Sequence, residues 1–214
     1  MLLFELFENT RGTGKTAVYA FGRFNPPNAG HQRLVNALKR KAGELNADWY
    51  LFISPRDSDP EKNPLTGAEK LAWWRAILPR DRDHFIMDPA IPMSDFAAQW
   101  LYDQGYQNAV VMYGTGEEAM RFPMATNGAK TNKKGEPLRA VYAFDQFTDG
   151  GSPTAADAQN IAGDPELRST DIRAMVRAGD RPGFYRATGV SPRLKVNGLD
   201  YFDTLSQAMG QGNK

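Results

Sequence analysis

Residues 16–31 read T-A-V-Y-A-F-G-R-F-N-P-P-N-A-G-H. Ala17, Val18, Tyr19, Ala20 and Phe21 form an apolar run of strand length and strand composition. Gly22, Pro26, Pro27 and Gly30 then punctuate a tight turn. A helix pattern starts at His31: Leu34, Val35 and Leu38 recur at helical spacing, with Arg33, Lys39, Arg40 and Lys41 between them. A buried strand, a glycine-bearing loop and a helix N-terminus therefore follow one another directly. That order aims backbone N–H groups and the positive end of a helix dipole at one point, which suits a phosphate.

Further strands and helices follow downstream. Residues 48–54, D-W-Y-L-F-I-S, read as a second buried strand. Thr66 and Glu69 make a capping box for a helix over 67–78, with Leu71, Trp74 and Leu78 apolar at helical spacing. Residues 84–87 read as a third strand, and His84 at its start suits a structural role better than a catalytic one. Ser94 is expected to cap a helix through Tyr102, with Phe96, Trp100 and Leu101 facing the core. Residues 109–113 and 139–144 read as the fourth and fifth strands. Residues 122–137, rich in Lys, Asn and Gly, and residues 149–162, rich in Gly, Ala and Asp, read as surface loops, the first of them mobile.

The segment G-R-F-N-P-P-N-A-G-H, 22–31, resembles the signature G-x-F-D/N-P-x-H/T/N-x-G-H of the cytidylyltransferase-like nucleotidyltransferases. The Arg-Phe-Asn-Pro-Pro variant is most similar to the small members that tailed phages encode. The resemblance implies a Rossmann-like α/β fold: an open parallel sheet of five core strands with helices on both faces. It also implies transfer of a nucleoside monophosphate from a nucleoside triphosphate. A second motif, L-R-S-T-D-I-R at 167–173, is similar to the family's I-S-x-T-x-I-R and comes in the order the family demands. Ser169 or Thr170 is placed to cap a helix continued by Ile172, Met175 and Val176, with Arg173 one turn in. A phosphate on that helix start meets N–H groups, hydroxyls and a guanidinium.

Two further stretches carry weaker likeness. E-K-N-P-L-T-G-A-E-K, 61–70, resembles the lysine-bearing loop of the adenylyltransferase branch and makes Lys62 the phosphate-reaching lysine. Gly114 and Thr115 match the first half of a G-S-D-R element after the fourth strand; Gly116 and Glu117 depart from it. By resemblance His31 donates to the α-phosphate, and Gly30 lets the helix backbone approach it. Gly22, Arg23 and Phe24 line the strand-end loop. Arg173, Ser169 and Thr170 hold the β- and γ-phosphates, and Lys62 bridges the phosphates of donor and acceptor. Asn28 stands where the family usually has histidine, and its amide offers a neutral donor in place of an imidazolium. Mg²⁺ is expected to travel on the triphosphate, with no carboxylate cage of its own. The implied partners are a nucleoside triphosphate and a phosphorylated small-molecule acceptor, with the motif variant and Lys62 tilting the transferred group towards AMP over CMP.

The remaining composition narrows the classes. Lys and Arg number 26 against 25 Asp and Glu, so no global basic field argues for nucleic acid; the Lys130, Lys133 and Lys134 loop reads as a solvated insertion. No cysteine is present, which excludes disulfides, thiolate metal sites and a cysteine nucleophile. No apolar run approaches the about 20 residues of a membrane span, and no signal pattern opens the chain, so a cytoplasmic protein is expected, in host cytoplasm or virion-associated if phage-encoded. R-G-T-G-K-T at 11–16 is not a P-loop: the position five residues before Gly14 is Asn9, and no strand precedes it. The expected division is an amphipathic segment and linker over 1–16, a nucleotidyltransferase domain over 17–190, and a C-terminal helix and tail over 191–214. Residues 1–9, M-L-L-F-E-L-F-E-N, are too short for a stable free helix and dock on their own domain or on a protein partner. That segment, with Asn28 and Gly116–Glu117, motivates an alternative: a structural or binding protein on this fold with weakened or lost activity.

Overall fold

The computed structural model describes residues 14–56, 61–114 and 122–210. Five parallel strands form one sheet in the order β3-β2-β1-β4-β5: β1 Thr16–Gly22, β2 Asp48–Ile53, β3 Phe85–Ile86, β4 Asn108–Met112 and β5 Gln146–Gly151. β1 lies at the centre, with Val18 opposite both Trp49 of β2 and Val110 of β4. Its interior is buried on both faces, which is why it reads as a continuous apolar run and not an alternating one. The chain builds outward from β1 through β2 to β3, then returns to place β4 and β5 on the other side. The reversal makes a switch point between β1 and β4, and a crevice opens outside the carboxyl ends of strands at such a point.

Helices cover both faces. On one, α1 (Ala29–Leu45) brings Leu34, Val35, Leu38 and Ala42 into a cluster with Val18, Ala20, Leu51, Ile53 and Val110. On the other, α3 (Ser94–Asp103) brings Ala97, Ala98 and Leu101 against Ala17, Tyr19, Phe52 and Val111. The sheet's period of two sends neighbouring residues of each strand into opposite clusters. A third cluster joins α2 (Gly67–Ile77) to α5 (Ser169–Arg177), α6 (Arg181–Thr188) and α7 (Tyr201–Ala208). Adjacent tryptophans make the join: Trp74 packs under the sheet and Trp73 among the C-terminal helices. Residues 191–210, set apart in the sequence reading, share this cluster, and the fully buried Tyr201 donates its hydroxyl to the Pro27 carbonyl in the first loop. A short α4 (Phe122–Ala125) and a hairpin of β6 (Lys195–Val196) and β7 (Leu199–Asp200) complete the described chain.

The Thr66–Glu69 capping box opens α2 as the sequence predicts. Other expectations change. The fifth strand is 146–151, not 139–144. Ala140, Tyr142 and Phe144 are buried alternately, so the period-two pattern is real. The backbone there pairs elsewhere: Phe144 N–H donates to Asn127 Oδ1 at 2.9 Å, its carbonyl accepts from Asn127 Nδ2 at 3.0 Å, and Gly128 N–H donates to the Tyr142 carbonyl at 2.8 Å. Alternation reports which face is buried, not which backbone supplies the ladder. The true β5, Q-F-T-D-G-G, is a largely exposed edge strand with little apolar signal.

Ser94 begins α3 without capping it: Met93 is the N-cap, and the buried Ser94 Oγ has no hydrogen-bond partner among the described residues. The third strand is only Phe85–Ile86, because Pro79–His84 form a 3-10 turn. His84 is structural as expected: its Nδ1 lies 2.8 Å from the Trp49 carbonyl and its ring stacks on Trp49 at 4.2 Å and 9°. The loop at 131–137 is ordered by Asn132, whose Oδ1 accepts from the N–H groups of Lys134 and Glu136 at 2.8 and 3.0 Å. No helix among the described residues is long and apolar enough to cross a membrane.

Candidate active site

A cavity of about 570 Å³ opens at the carboxyl ends of β1 and β4. Every sequence-predicted site residue in the described part of the chain lines it: Gly22, Arg23, Phe24, Asn28, Gly30, His31, Lys62, Gly114, Ser169, Thr170 and Arg173. Thr115 lies outside the described residues, as do Gly116, Glu117 and the segment 1–9. The lysines of the 130–134 loop do not line it.

The loop after β1 is shaped by its aromatic residue. Phe24 adopts φ 46°, the left-handed region, and its buried ring meets His31 edge-on at 5.1 Å and Trp74 at 6.0 Å. That ring folds over Gly22: a Cβ there would stand 2.6 Å from its tip. Gly22 therefore makes room for Phe24.

Asn28 is the N-cap of α1, so the helix begins at Ala29 and His31 is already in its first turn. Asn28 Oδ1 accepts the His31 backbone N–H at 2.8 Å, and its Nδ2 donates to Ser169 Oγ at 3.3 Å. The residue expected to face a phosphate thus spends its oxygen on the helix and ties together the two sequence motifs. Gly30 differs from expectation in a similar way. A Cβ on Gly30 would lie 2.7 Å from the Leu167 carbonyl and 3.2 Å from that of Pro165, so its bareness admits another part of the chain.

The second motif docks onto the first. Arg168 is the N-cap of α5, and Ser169 is its first residue and not the cap. The Ser169 hydroxyl turns instead to the Pro26 carbonyl at 3.4 Å. Arg173 Nη1 donates to the Asn25 carbonyl at 3.0 Å and Nη2 to Thr170 Oγ1 at 3.4 Å. The guanidinium therefore braces the first loop from inside the cavity wall.

Asn25, which the sequence reading passed over, holds a third segment. Its Nδ2 donates to the Leu65 carbonyl at 2.7 Å and its Oδ1 accepts the Leu65 N–H at 3.1 Å, all of it buried. This fixes the loop that carries Lys62 and the buried Asn63 against the first motif. Arg33, Asn63, Arg168 and Glu166 are further lining residues that sequence reasoning missed. Arg33 stands three residues after Gly30 on the same helix face, a spacing that could have found it.

The lining carries Arg23, Arg33, Lys62, Arg168 and Arg173 against Glu166. His31 adds no charge at neutral pH: burial pushes its imidazole down to about 4, outweighing the upward pull of the Pro26 carbonyl. Its Nδ1 is buried with no hydrogen-bond partner among the described residues. The cavity is thus a cationic pocket with one neutral imidazole and two helix starts, a setting for a polyanion.

A strap over 152–168 forms one wall, and α1 holds it. Arg40 grips the buried Asp157 with two bonds, at 2.8 and 3.1 Å, while Thr154 donates N–H and hydroxyl to the same carboxylate at 2.7 and 2.8 Å. Burial alone would raise the Asp157 carboxyl, but the Arg40 guanidinium and Thr154 donors prevail and hold it at about 2. Its contribution is therefore complete above the ordinary carboxylate range and disappears as pH falls through about 2. Asp157→Asn is expected to cost about 2 kcal/mol at pH 7, at the low end because Arg40 is partly exposed. Urea unfolding at pH 7 and at pH 3 checks this; an equal loss at both pH values contradicts the ion-pair origin, since the gap should narrow in acid.

No protein-family model and no curated protein matches the chain.

Proposed function

We propose that the protein is a nucleotidyltransferase that moves a nucleoside monophosphate, AMP in preference to CMP, from a nucleoside triphosphate to a phosphorylated small-molecule acceptor. One observation carries the reading: a cationic cavity at the sheet's switch point is lined by both sequence motifs and by the Lys62 loop.

The chemistry is an in-line displacement. An oxygen of the acceptor phosphate attacks the α-phosphorus and forms a new P–O bond. The bond from that phosphorus to the bridging oxygen breaks, and pyrophosphate leaves with the electron pair. The nucleophile and leaving group belong to the substrates, so the protein positions them and stabilises charge. Neutral His31 donates one N–H to the α-phosphate beside the start of α1. Arg173, Ser169, Thr170 and the start of α5 take the β- and γ-phosphates. Lys62 spans donor and acceptor phosphates, and Gly114 faces the nucleoside. Mg²⁺ enters with the triphosphate as part of the substrate.

The test is pyrophosphate release with each of the four nucleoside triphosphates, Mg²⁺ and a pool of phosphorylated acceptors. ATP is expected to be the donor, and Arg173→Ala to lower the rate at least tenfold. Release from no triphosphate, with no thermal shift by any of them, overturns the reading. One observation favours a second reading, a structural or binding protein with weakened activity on this fold: the Asn28 amide is engaged within the fold at both ends. Co-purification with assembled particles and absence of turnover would favour it.

A further inference from the structure

We infer that Glu166 sets which anions the pocket holds, by competing with an incoming polyphosphate for Arg33; this rests on the polyphosphate reading above. Glu166 is the one carboxylate residue lining the cavity among the described residues. Its Oε1 accepts a hydrogen bond from Arg33 Nη1. The two partners sit differently in solvent: the Glu166 side chain is 78% exposed and that of Arg33 19%. Arg33 is anchored separately, through Nε to the Thr154 carbonyl at 3.1 Å. The Glu166 backbone is anchored too, its N–H donating to Asp164 Oδ1 at 2.9 Å, but its carboxylate hangs at the water-facing rim.

The arrangement is therefore asymmetric. Arg33 stays aimed at the cavity when its terminal nitrogen changes partner, and Glu166 can swing into water at little cost. A carboxylate oxygen on a guanidinium N–H occupies the place a phosphate oxygen would take, and a phosphate carries more charge to that place. Glu166 is thus a built-in stand-in for the ligand's own anion. An anion long enough to reach Arg33 while seated on the motif residues must displace it. A short anion seated near His31 and Arg173 need not. Glu166 accordingly weakens long polyphosphates selectively, and it re-pairs with Arg33 as pyrophosphate departs, which favours product release over product retention.

The experiment is titration calorimetry of the full chain with inorganic tripolyphosphate and with orthophosphate, at fixed ionic strength. The proteins are wild type, Glu166→Gln, Arg33→Ala and the double variant. Glu166→Gln is expected to bind tripolyphosphate about three- to tenfold more tightly and orthophosphate within twofold of wild type. The gain is expected to vanish in the Arg33→Ala background, where nothing remains to compete for. Binding by wild type with no gain in Glu166→Gln overturns the inference and leaves the polyphosphate reading standing. An equal gain in both backgrounds also overturns it, because a general charge effect then replaces displacement. Absence of tripolyphosphate binding by wild type and Glu166→Gln alike overturns the inference together with the reading it rests on. Glu166 lies outside the core, so the substitution is expected to leave unfolding unchanged, which a thermal melt checks.

Discussion

His31→Ala is expected to lower pyrophosphate release by about two to three orders of magnitude, the usual cost of losing one preorganised donor at developing phosphate charge. The imidazole is held in place by its surroundings. Phe24 and Trp74 flank the ring, and the first turn of α1 fixes its backbone through the Asn28 cap. The same surroundings keep it neutral, so the N–H it offers is that of an uncharged imidazole. A second readout is independent of catalysis. The folded pKa of about 4 lies below the unfolded value of 6.5, so the unfolded chain binds the extra proton between these limits. The stability His31 contributes is present above pH 6.5 and is lost as pH falls towards 4, by at most about 3 kcal/mol. His31→Ala should therefore lose less stability than wild type over that window. Activity within threefold of wild type would sink the catalytic role; parallel stability curves from pH 7 to 4 would sink the burial argument.

Asn25→Asp should be among the most destabilising single-atom changes in the protein, about 3 kcal/mol at pH 8. The Asn25 carboxamide both donates to and accepts from the Leu65 backbone while buried. An ionised aspartate accepts from the Leu65 N–H but sets a charged oxygen against the Leu65 carbonyl. A protonated aspartic acid restores the donor. The new carboxyl is thus held above its unfolded pKa, and the variant is most stable below that value and loses stability as pH rises. Urea unfolding at pH 5 and pH 8 reads this directly: the gap to wild type should widen with pH. Asn25→Ala leaves two buried Leu65 groups unpaired and should show a similar loss with no such pH dependence. A constant gap for Asn25→Asp, or a gap under about 0.5 kcal/mol, contradicts the two-point grip. Because this grip fixes the Lys62 loop, KM for the triphosphate is expected to rise in Asn25→Ala under conditions where the protein is fully folded.

The placement of the pocket follows from side-chain contacts that link its segments. Asn28 to Ser169, Arg173 to Asn25 and Asn25 to Leu65 join three stretches far apart in the chain. Side chains that looked like ligand contacts in the sequence prove to serve two purposes, holding the loop and lining the cavity. Gly30 shows why the sequence misleads here: a bare α-carbon signals close approach, but not by what. In the structure the approaching group is the Leu167 carbonyl.

Local chemistry is legible in the sequence. The apolar run of β1, the α2 capping box and the helical spacing of Leu34, Val35 and Leu38 are short-range signals of burial and backbone preference, and each forms where it was read. The α/β class follows from them. Other features depend on backbone pairing and on contacts between distant segments, which local patterns do not carry. The edge strand β5 carries little apolar signal because one side of it is solvent, while the buried alternation at 140–144 pairs with Asn127. Asn28 caps α1 and Ser169 does not cap α5, because a cap is set by where the helix starts and by what lies beside it. The charge of the pocket is likewise a tertiary fact. A chain with nearly equal acidic and basic residues concentrates five cations around one cavity, and no count along the sequence could place Arg33 opposite Glu166.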